Sequence, residues 1–468
     1  LNVCVIGTGY VGLVTGTCLA YLGHEVVCVD NDPQKIARLE AGKSPIYEPG
    51  LEALLEHGMS RGALTFSMGL TEAVRAAEVI FIAVGTPPLP SGEPDLQYVE
   101  AVARGIGAAV DDARTRVVVN KSTVPIGSGN WVEMLIEDGM TVSHPLPAGT
   151  GALKAPAPQR PRFLVASNPE FLREGSAIGD TLFPDRIVIG ATDSEAVSTL
   201  RGLYAPLLDQ SFEAPRVSPR PEGMRSVPLV TTDLASAEMI KYAANAFLAT
   251  KISFINEMAN LCEKVGADVT QVAKGIGLDT RIGNRFLNAG AGWGGSCFGK
   301  DVSALISIGR EYQYEMEILR ATVSVNHHQR QRLIQKLQEA LKILKGKTIG
   351  ILGLAFKPDT DDLRDAPALD VAQQLLKMGA RVKTYDPIAM SHCRQQHPDL
   401  EMVYAENIEE LAAGCDALVL MTEWEEFKTM DLTIVRGLMR TPVLLDARNA
   451  LSPMACQNYG FHYMGVGR

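Results

Sequence analysis

The sequence predicts an α/β protein: two doubly wound, Rossmann-like domains joined by a long central helix and a helical dimerisation region. Three observations predict it. Over the first 120 residues short β-rich runs alternate with helical patterns, which implies a parallel sheet with helices on both faces. The same alternation returns after residue 347. Between the two lies a helical run, 233–265, without Gly or Pro.

In order, the first strands fall at 2–6, 25–29, 79–84 and 117–120, with helices from about Val11 and over 95–110. Residues 1–22 carry no charge, long enough to suggest a membrane span. Glycines at 7, 9, 12 and 16 interrupt that stretch and no basic region precedes it, so it divides into a strand and a helix. No membrane segment is expected. A Pro-rich stretch at 141–162 reads as a surface loop, and a second at 215–228 separates the next αβ elements from the long helical run.

The 233–265 run has apolar residues on most faces, so wide burial is expected. At 1.5 Å per residue it would span ~50 Å, longer than one small domain. Contact with a second subunit and burial between two domains of one chain are compatible uses. A basic linker helix ends near Lys347, and strands come next at 348–352, 381–385, 417–421 and 443–445. Asp386 ends its strand as Asp30 ends the second strand of the first half. The expected division is 1–228, a first Rossmann-like domain; 229–335, a central helical domain; and 336–468, a second Rossmann-like domain.

Composition excludes several classes. With 46% hydrophobic and 21% charged residues among 468, the chain is neither disordered nor fibrous. A net charge of −10 argues against nucleic-acid or anionic-membrane binding, though not against a small anion in a local pocket. The eight cysteines are scattered, with no CxxC and no metal-ligand spacing with His. That predicts no metal, no disulfide framework and a reducing, cytoplasmic setting.

Gly7, Gly9 and Gly12 form GxGxxG directly after the first strand. Glycines there allow a tight turn, close approach of a pyrophosphate and helix–strand packing, with the helix N-terminus facing the phosphates. Asp30, 18 residues beyond Gly12, can accept from both ribose hydroxyls and would repel a 2′-phosphate. The next residues, Asn31 and Asp32, supply no Arg, so NAD is favoured over NADP. Residues 84–87 and 121–125 end two further strands, where open α/β sheets bind ligands. Capping of the next helices explains their Ser and Thr equally well.

Lys241 and Asn245 share one face of the long helix. The stretch 290–301, GAGWGGSCFGKD, places Cys297 after a glycine-rich loop, at an expected helix start, with Lys300 and Asp301 close behind. A thiol there would have a lowered pKa and act as a nucleophile, and the glycines would let a substrate approach the backbone. An inert buried Cys accounts for the other seven.

Seven collinear motifs, GTGYVG (7–12), KSTVP (121–125), NPEFLREG (168–175), AEMIKYAANAF (237–247), RIGNRFL (281–287), GGSCFGKD (294–301) and LAFKPDTDDLRD (354–365), resemble the nucleotide-sugar 6-dehydrogenases. The resemblance implies that Cys297 is the nucleophile, supported by Asp301. Lys241 and Asn245 match the pair that holds the reacting oxygen and also contacts substrate. Thr123 and Glu170 match residues that position or activate water. It implies NAD contacts from Gly7, Gly9, Tyr10, Val11, Gly12, Asp30, Lys35, Thr86, Ser122, Thr123, Glu174, Lys300 and Arg364. Substrate contacts would come from Glu170, the backbone of Phe171 and Leu172, Arg281, Asn288, Gly292, Gly294, Lys357 and Arg448, with Arg281 and Arg364 crossing between subunits. Gly299 stands where many relatives have Pro.

The implied activity is a four-electron, NAD-dependent oxidation of UDP-glucose to UDP-glucuronate through a Cys thiohemiacetal and thioester, in a homodimer or higher homo-oligomer. A GDP-mannose or UDP-N-acetylhexosamine dehydrogenase is the alternative, although RIGNRFLNAG looks like the UDP-glucose version. A catalytically silent NAD-binding regulator would lack a reason for the complete Cys297, Lys241, Asn245 and Asp301 set.

Overall fold

The computed structural model describes residues 1–87, 89, 93–143 and 161–468. These residues divide into two compact units, Leu1–Ala243 and Ala244–Arg468. Most of the Pro-rich 141–162 stretch lies outside the described residues.

The first unit holds an eight-stranded sheet: β1 (Asn2–Ile6), β2 (Glu25–Val29), β3 (Leu64–Ser67), β4 (Val79–Ile82), β5 (Arg116–Asn120), β6 (Phe163–Ser167), β7 (Ile187–Ala191) and β8 (Leu229–Thr232). Their order is β3-β2-β1-β4-β5-β6-β7-β8. The sheet is not parallel throughout. β7 runs antiparallel to β6 and carries β8 parallel to itself. Alternate residues of β1 serve two cores: Val3 and Val5 face one, Cys4 and Ile6 the other. That is why the strand reads as an unbroken apolar run. The uncharged stretch 1–22 resolves into β1 and a helix, Tyr10–Tyr21. Among the described residues no helix is long and apolar enough to cross a membrane.

The second unit repeats the crossover pattern in six parallel strands: β9 (Thr348–Leu352), β10 (Arg381–Tyr385), β11 (Met402–Tyr404), β12 (Ala417–Leu420), β13 (Val443–Asp446) and β14 (His462–Met464), ordered β11-β10-β9-β12-β13-β14. One core, built from Ile255, Leu333, Ile349, Leu418 and Leu445 among others, fills it. The helix before β9 is Glu317–Leu341 and stops short of the expected Lys347. Lys342 adopts φ 66°, which a helix cannot continue through.

The long helix spans Leu234–Val265, 32 residues, and the unit boundary falls within it. Asp233 opens it by accepting from the Ser236 N–H at 2.8 Å. Wide burial fails along one stripe. Phe247, Phe254 and Leu261, seven residues apart, are 66%, 47% and 52% exposed, and Val265 one turn further is also exposed. The second Pro-rich stretch is held inside the first unit: Val217 lies against Gly50, and the Val227 N–H bonds the Leu208 carbonyl.

Candidate active site

In the first unit most candidate groups lie at or just beyond the carboxyl ends of β1, β2, β4, β5 and β6, around the point where the strand order reverses between β1 and β4, while Lys241 comes from the long helix. Gly7 turns the chain with φ 103°, and a Cβ there would lie 2.6 Å from the Ala83 carbonyl oxygen. A Cβ on Gly12 would lie 1.9 Å from the Gly7 carbonyl oxygen. These two glycines are therefore demanded by packing. Gly9, which caps the helix Tyr10–Tyr21 and carries Val11 just beyond it, has open space where a Cβ would be. No acidic residue occupies the first helical turn, so the exposed N–H groups suit a pyrophosphate.

Asp30 Oδ2 accepts from the Thr8 N–H at 2.9 Å and the Thr8 hydroxyl at 2.6 Å, and Lys35 Nζ lies 3.8 Å away. Burial opposes its charge, but the bonds from Thr8 and Asp32 and the Lys35 cation hold its carboxyl below the usual carboxylate range. Among the described residues no arginine pairs with it, which fits NAD rather than NADP. Thr8, which no sequence motif singles out, is the residue that aims Asp30. Its only sequence signal is its place inside the glycine turn.

Thr86 and Ser122 do not cap helices. The Thr86 hydroxyl donates to the Thr123 carbonyl at 2.8 Å, and the Ser122 hydroxyl donates to the Val84 carbonyl at 2.8 Å. They tie the ends of β4 and β5 together. Tyr10 donates to Glu48, whose carboxylate also accepts from the Gly175 and Ala177 N–H groups at 2.7 Å. Glu48 thus links the glycine turn to the segment carrying Glu174, a connection invisible in sequence because its partners lie more than a hundred residues apart.

Lys241 meets Glu170 in a buried pair. Its Nζ donates to the Glu170 carbonyl oxygen at 2.7 Å and to Oε1 at 3.0 Å, and lies 5.5 Å from the Phe171 ring centre. Glu170 Oε2 accepts the Leu172 N–H at 2.7 Å, so that backbone donor is already engaged. Lys121, Thr123, Glu170, Glu238 and Lys241 line one pocket of this unit.

In the second unit Cys297 caps the helix Phe298–Glu311. It alone among the eight cysteines is not buried. Burial pushes the others up where a shift is seen, Cys28 to about 12 and Cys415 and Cys456 to about 11. One turn into the helix, Asp301 is fully buried. Its Oδ2 accepts from the Asn245 amide at 2.6 Å, and Lys300 Nζ stands 3.2 Å from Oδ1 as an ion pair not aligned for a hydrogen bond.

The glycines before Cys297 are demanded by packing within the chain. Added Cβ atoms on Gly290, Gly292, Gly294 and Gly295 would meet the Ala447 carbonyl, Asn326 Oδ1, the Asp365 carbonyl and the Phe356 ring, all within 2.8 Å. Asn326 Oδ1 accepts the Trp293 N–H at 2.8 Å, and Gln329 donates to the Gly290 carbonyl at 2.8 Å. The loop packs closely on Ala447, on the helix Glu317–Leu341 and on the 356–365 loop.

The remaining substrate candidates are dispersed through this unit. Arg448 lies beyond β13, donating to the Met421 carbonyl at 2.7 Å and the Phe356 carbonyl at 2.9 Å. Lys357 comes after β9 and lies over the Phe356 ring at 5.5 Å. Both stand at the carboxyl end of the second sheet, at its own reversal point. Arg364 forks onto Asp362. Arg281 pairs with Asp279 at 2.6 Å and is 87% exposed, and Asn288 is exposed as well.

The comparisons agree with this layout. The UDP-glucose/GDP-mannose dehydrogenase family matches in three parts: its NAD binding domain at residues 1–208, its central domain at 235–328 and its UDP binding domain at 350–453. A UDP-glucose 6-dehydrogenase of Bacillus subtilis (strain 168) is 45% identical over 473 residues, covering 100% of this chain and 93% of that protein. One from Pseudomonas aeruginosa is 45% identical over 473 residues, covering 100% of this chain and 98% of its own. The solved structure of a UDP-glucose dehydrogenase from the hyperthermophilic archaeon Pyrobaculum islandicum is similar with a TM-score of 0.86 at 39% identity, over 99% of this chain and 97% of that one. The chain is a member of the UDP-glucose/GDP-mannose dehydrogenase family, an oxidoreductase whose first unit is the family's NAD-binding domain.

Proposed function

We propose that the chain converts UDP-glucose, two NAD and water to UDP-glucuronate, two NADH and protons. The observation that carries this reading is Cys297, the one cysteine outside the core, capping a helix whose first turn holds Asp301 against Asn245. Bound NAD supplies the acceptor for the hydride that leaves C6 in each oxidation.

The protein's own groups do the rest. Gly9 and Asp30 hold the coenzyme, with Thr8 fixing the carboxylate. Once C6 is an aldehyde, the Cys297 thiolate forms a C–S bond to it and the carbonyl pair moves onto oxygen. Lys241 as cation and Asn245 as donor stabilise that oxygen. After the second oxidation C6 is a thioester. Water, held by Thr123 and Glu170, adds to it, the C–S bond breaks and the thiolate leaves. Asp301 keeps Asn245 oriented. Lys357 and Arg448 hold the UDP moiety, and the three parts 1–228, 229–335 and 336–468 bind NAD, pair subunits and bind nucleotide sugar.

Cys297→Ser tests the covalent step. A serine hydroxyl stays protonated near neutral pH and adds poorly. The variant should bind both ligands and either stall at the aldehyde or accumulate an ester on residue 297, read by intact-protein mass and NADH counted per site. Sustained turnover near the unmodified rate, with two NADH per product, would falsify the thioester route. A panel of UDP-glucose, GDP-mannose and UDP-N-acetylglucosamine tests the substrate, and efficient oxidation of either alternative would replace UDP-glucose.

The exposed stripe of Phe247, Phe254, Leu261 and Val265 supports a homodimer. A seven-residue apolar repeat is the spacing at which one helix packs along another. We propose that Arg281, exposed and held on its own chain by Asp279, reaches the substrate of the neighbouring subunit. Mixing Arg281→Ala with Cys297→Ala subunits should restore partial activity. Heterodimers that form yet stay inactive would place the whole site in one chain. Seven buried thiols and no disulfide among the described residues support a reducing, cytoplasmic setting.

A further inference from the structure

The pocket that holds Glu170 and Lys241 contains a second lysine to which the proposed reaction gives no task. Lys121 leaves the end of β5 and is 8% exposed. Its Nζ donates to Asn168 Oδ1 at 3.0 Å. The same oxygen accepts the Tyr204 hydroxyl at 2.6 Å, while the Asn168 amide donates to the Val188 carbonyl at 2.8 Å and its backbone N–H to the Asn120 carbonyl at 2.9 Å. Asn168 is thus fixed from four sides. Two residues later, Glu170 presents its carbonyl and its carboxylate to Lys241 Nζ. A buried lysine that served packing alone would be better replaced by an apolar residue, since burying an ammonium is costly.

The charges around Lys121 are few. Glu170 attracts it and Lys241 repels it. Glu238, on the same helix as Lys241, is occupied by the Gly127 and Gly129 N–H groups and the Ser167 hydroxyl, and burial pushes its carboxyl up. Tyr204 and Tyr242 are buried neighbours, and burial pushes the Tyr204 phenol up. Two ammonium groups therefore share a pocket in which Glu170 is the acid that faces them.

We propose that Lys121 is a positioning residue for Lys241: through Asn168 it fixes the turn that ends at Glu170, and its ammonium bears on the charge that Lys241 carries. The inference rests on the reading of Lys241 as the cation that stabilises the reacting oxygen. Burial brings Lys121 down to about 8, with Glu170 opposing and Lys241 adding to the shift, so its charge changes in the range where turnover is measured.

The test is the pH profile of kcat with UDP-glucose and NAD for the unmodified protein, Lys121→Met, Lys121→Arg and Asn168→Ala, alongside thermal unfolding. Lys121→Met should lower the plateau of kcat about tenfold, with KM for NAD unchanged. It should also move the onset of the alkaline limb to higher pH, because below about 8 Lys121 is charged and repels Lys241, and that repulsion is then gone. Lys121→Arg, always charged, should leave the limb where it is or move it lower. Asn168→Ala should lower the plateau without moving the limb. A merely structural role would lower thermal stability and kcat at every pH while the limb stayed put. That result, or the absence of a limb that moves in Lys121→Met, overturns the inference. Failure of the underlying reading is separate: Lys241→Met would then keep its plateau.

Discussion

The two sheets of this chain use the same crossover and end their second strands on the same residue type, yet the two aspartates do opposite work. Asp30 accepts from Thr8 and Asp32 and keeps a carboxylate edge beside a half-exposed Lys35. Asp386 is fully buried and accepts five donors: the N–H groups of Leu354, Ala355, Ile388 and Ala389 and the Trp424 indole. The turns before them differ in the same way. Gly7 and Gly353, each first after its sheet's opening strand, are equally tight. Two residues on, Gly9 has open space where a Cβ would be, while Ala355 is buried with its N–H donated to Asp386. The first turn leaves room for a pyrophosphate at Gly9, and the second is closed there by its own backbone and side chain. Shared topology therefore carries no shared ligand, and the difference lies in how many donors each carboxylate has already taken.

Breaking the second aspartate should have the largest effect. Asp386→Ala would leave five donors without a partner, four of them buried and each of those costing about 1–3 kcal/mol, so a loss of at least about 4 kcal/mol is expected in denaturant unfolding. Unchanged stability would mean that Asp386, like Asp30, is kept for a ligand.

Asp30→Ala should act on the coenzyme and barely on the fold. NAD affinity should fall about tenfold, roughly 1.4 kcal/mol, and the preference over NADP should narrow mainly through that loss, as KM values for both would reveal. The pH sign comes from the carboxyl lying below its usual range. The favourable contribution of the ionised group is present above the ordinary carboxylate range and is lost only as pH falls through the lowered value. NAD titrations at falling pH should therefore hold their affinity through the ordinary range. Weakening there would show that Thr8 does not hold the carboxylate.

The smallest effect sharpens the contrast between glycines that packing demands and one that it does not. Gly299 sits just past Cys297 in the helix Phe298–Glu311, has no positive φ, and a Cβ there would make ordinary contacts of 3.5 Å to Asp365 and 3.8 Å to Trp293. Gly299→Ala should stabilise by about 0.5–1 kcal/mol, by removing freedom from the unfolded chain. A drop in thermal stability would assign the glycine to motion around Cys297.

Much of the fold was legible because its signals are local. β1, β2, β9 and β10 fall where alternating and unbroken apolar runs place them, buried on one or both faces. β3, β11 and β14 escaped because short edge strands of three or four residues bury little. β7 gave no sign of its reversed direction, since the apolar pattern of a strand is the same in either direction. The long helix announced itself by composition, but which of its faces stays open could be learned only after the neighbours had packed.

The sequence by itself determined the glycine turn, the acid that ends the second strand, the pairing of Lys241 with Asn245 on one helical face and the unusual setting of Cys297, because each rests on residues within a few turns of one another. Only the tertiary structure decided that Asp386 is sealed, that the glycines before Cys297 serve packing, that Thr86 and Ser122 tie strands instead of capping helices, and that Lys121 reaches Lys241 through Asn168 and Glu170. A polar group's role is set by the partners it finds and the water it loses, and here those partners come from segments about 30 to more than 100 residues away.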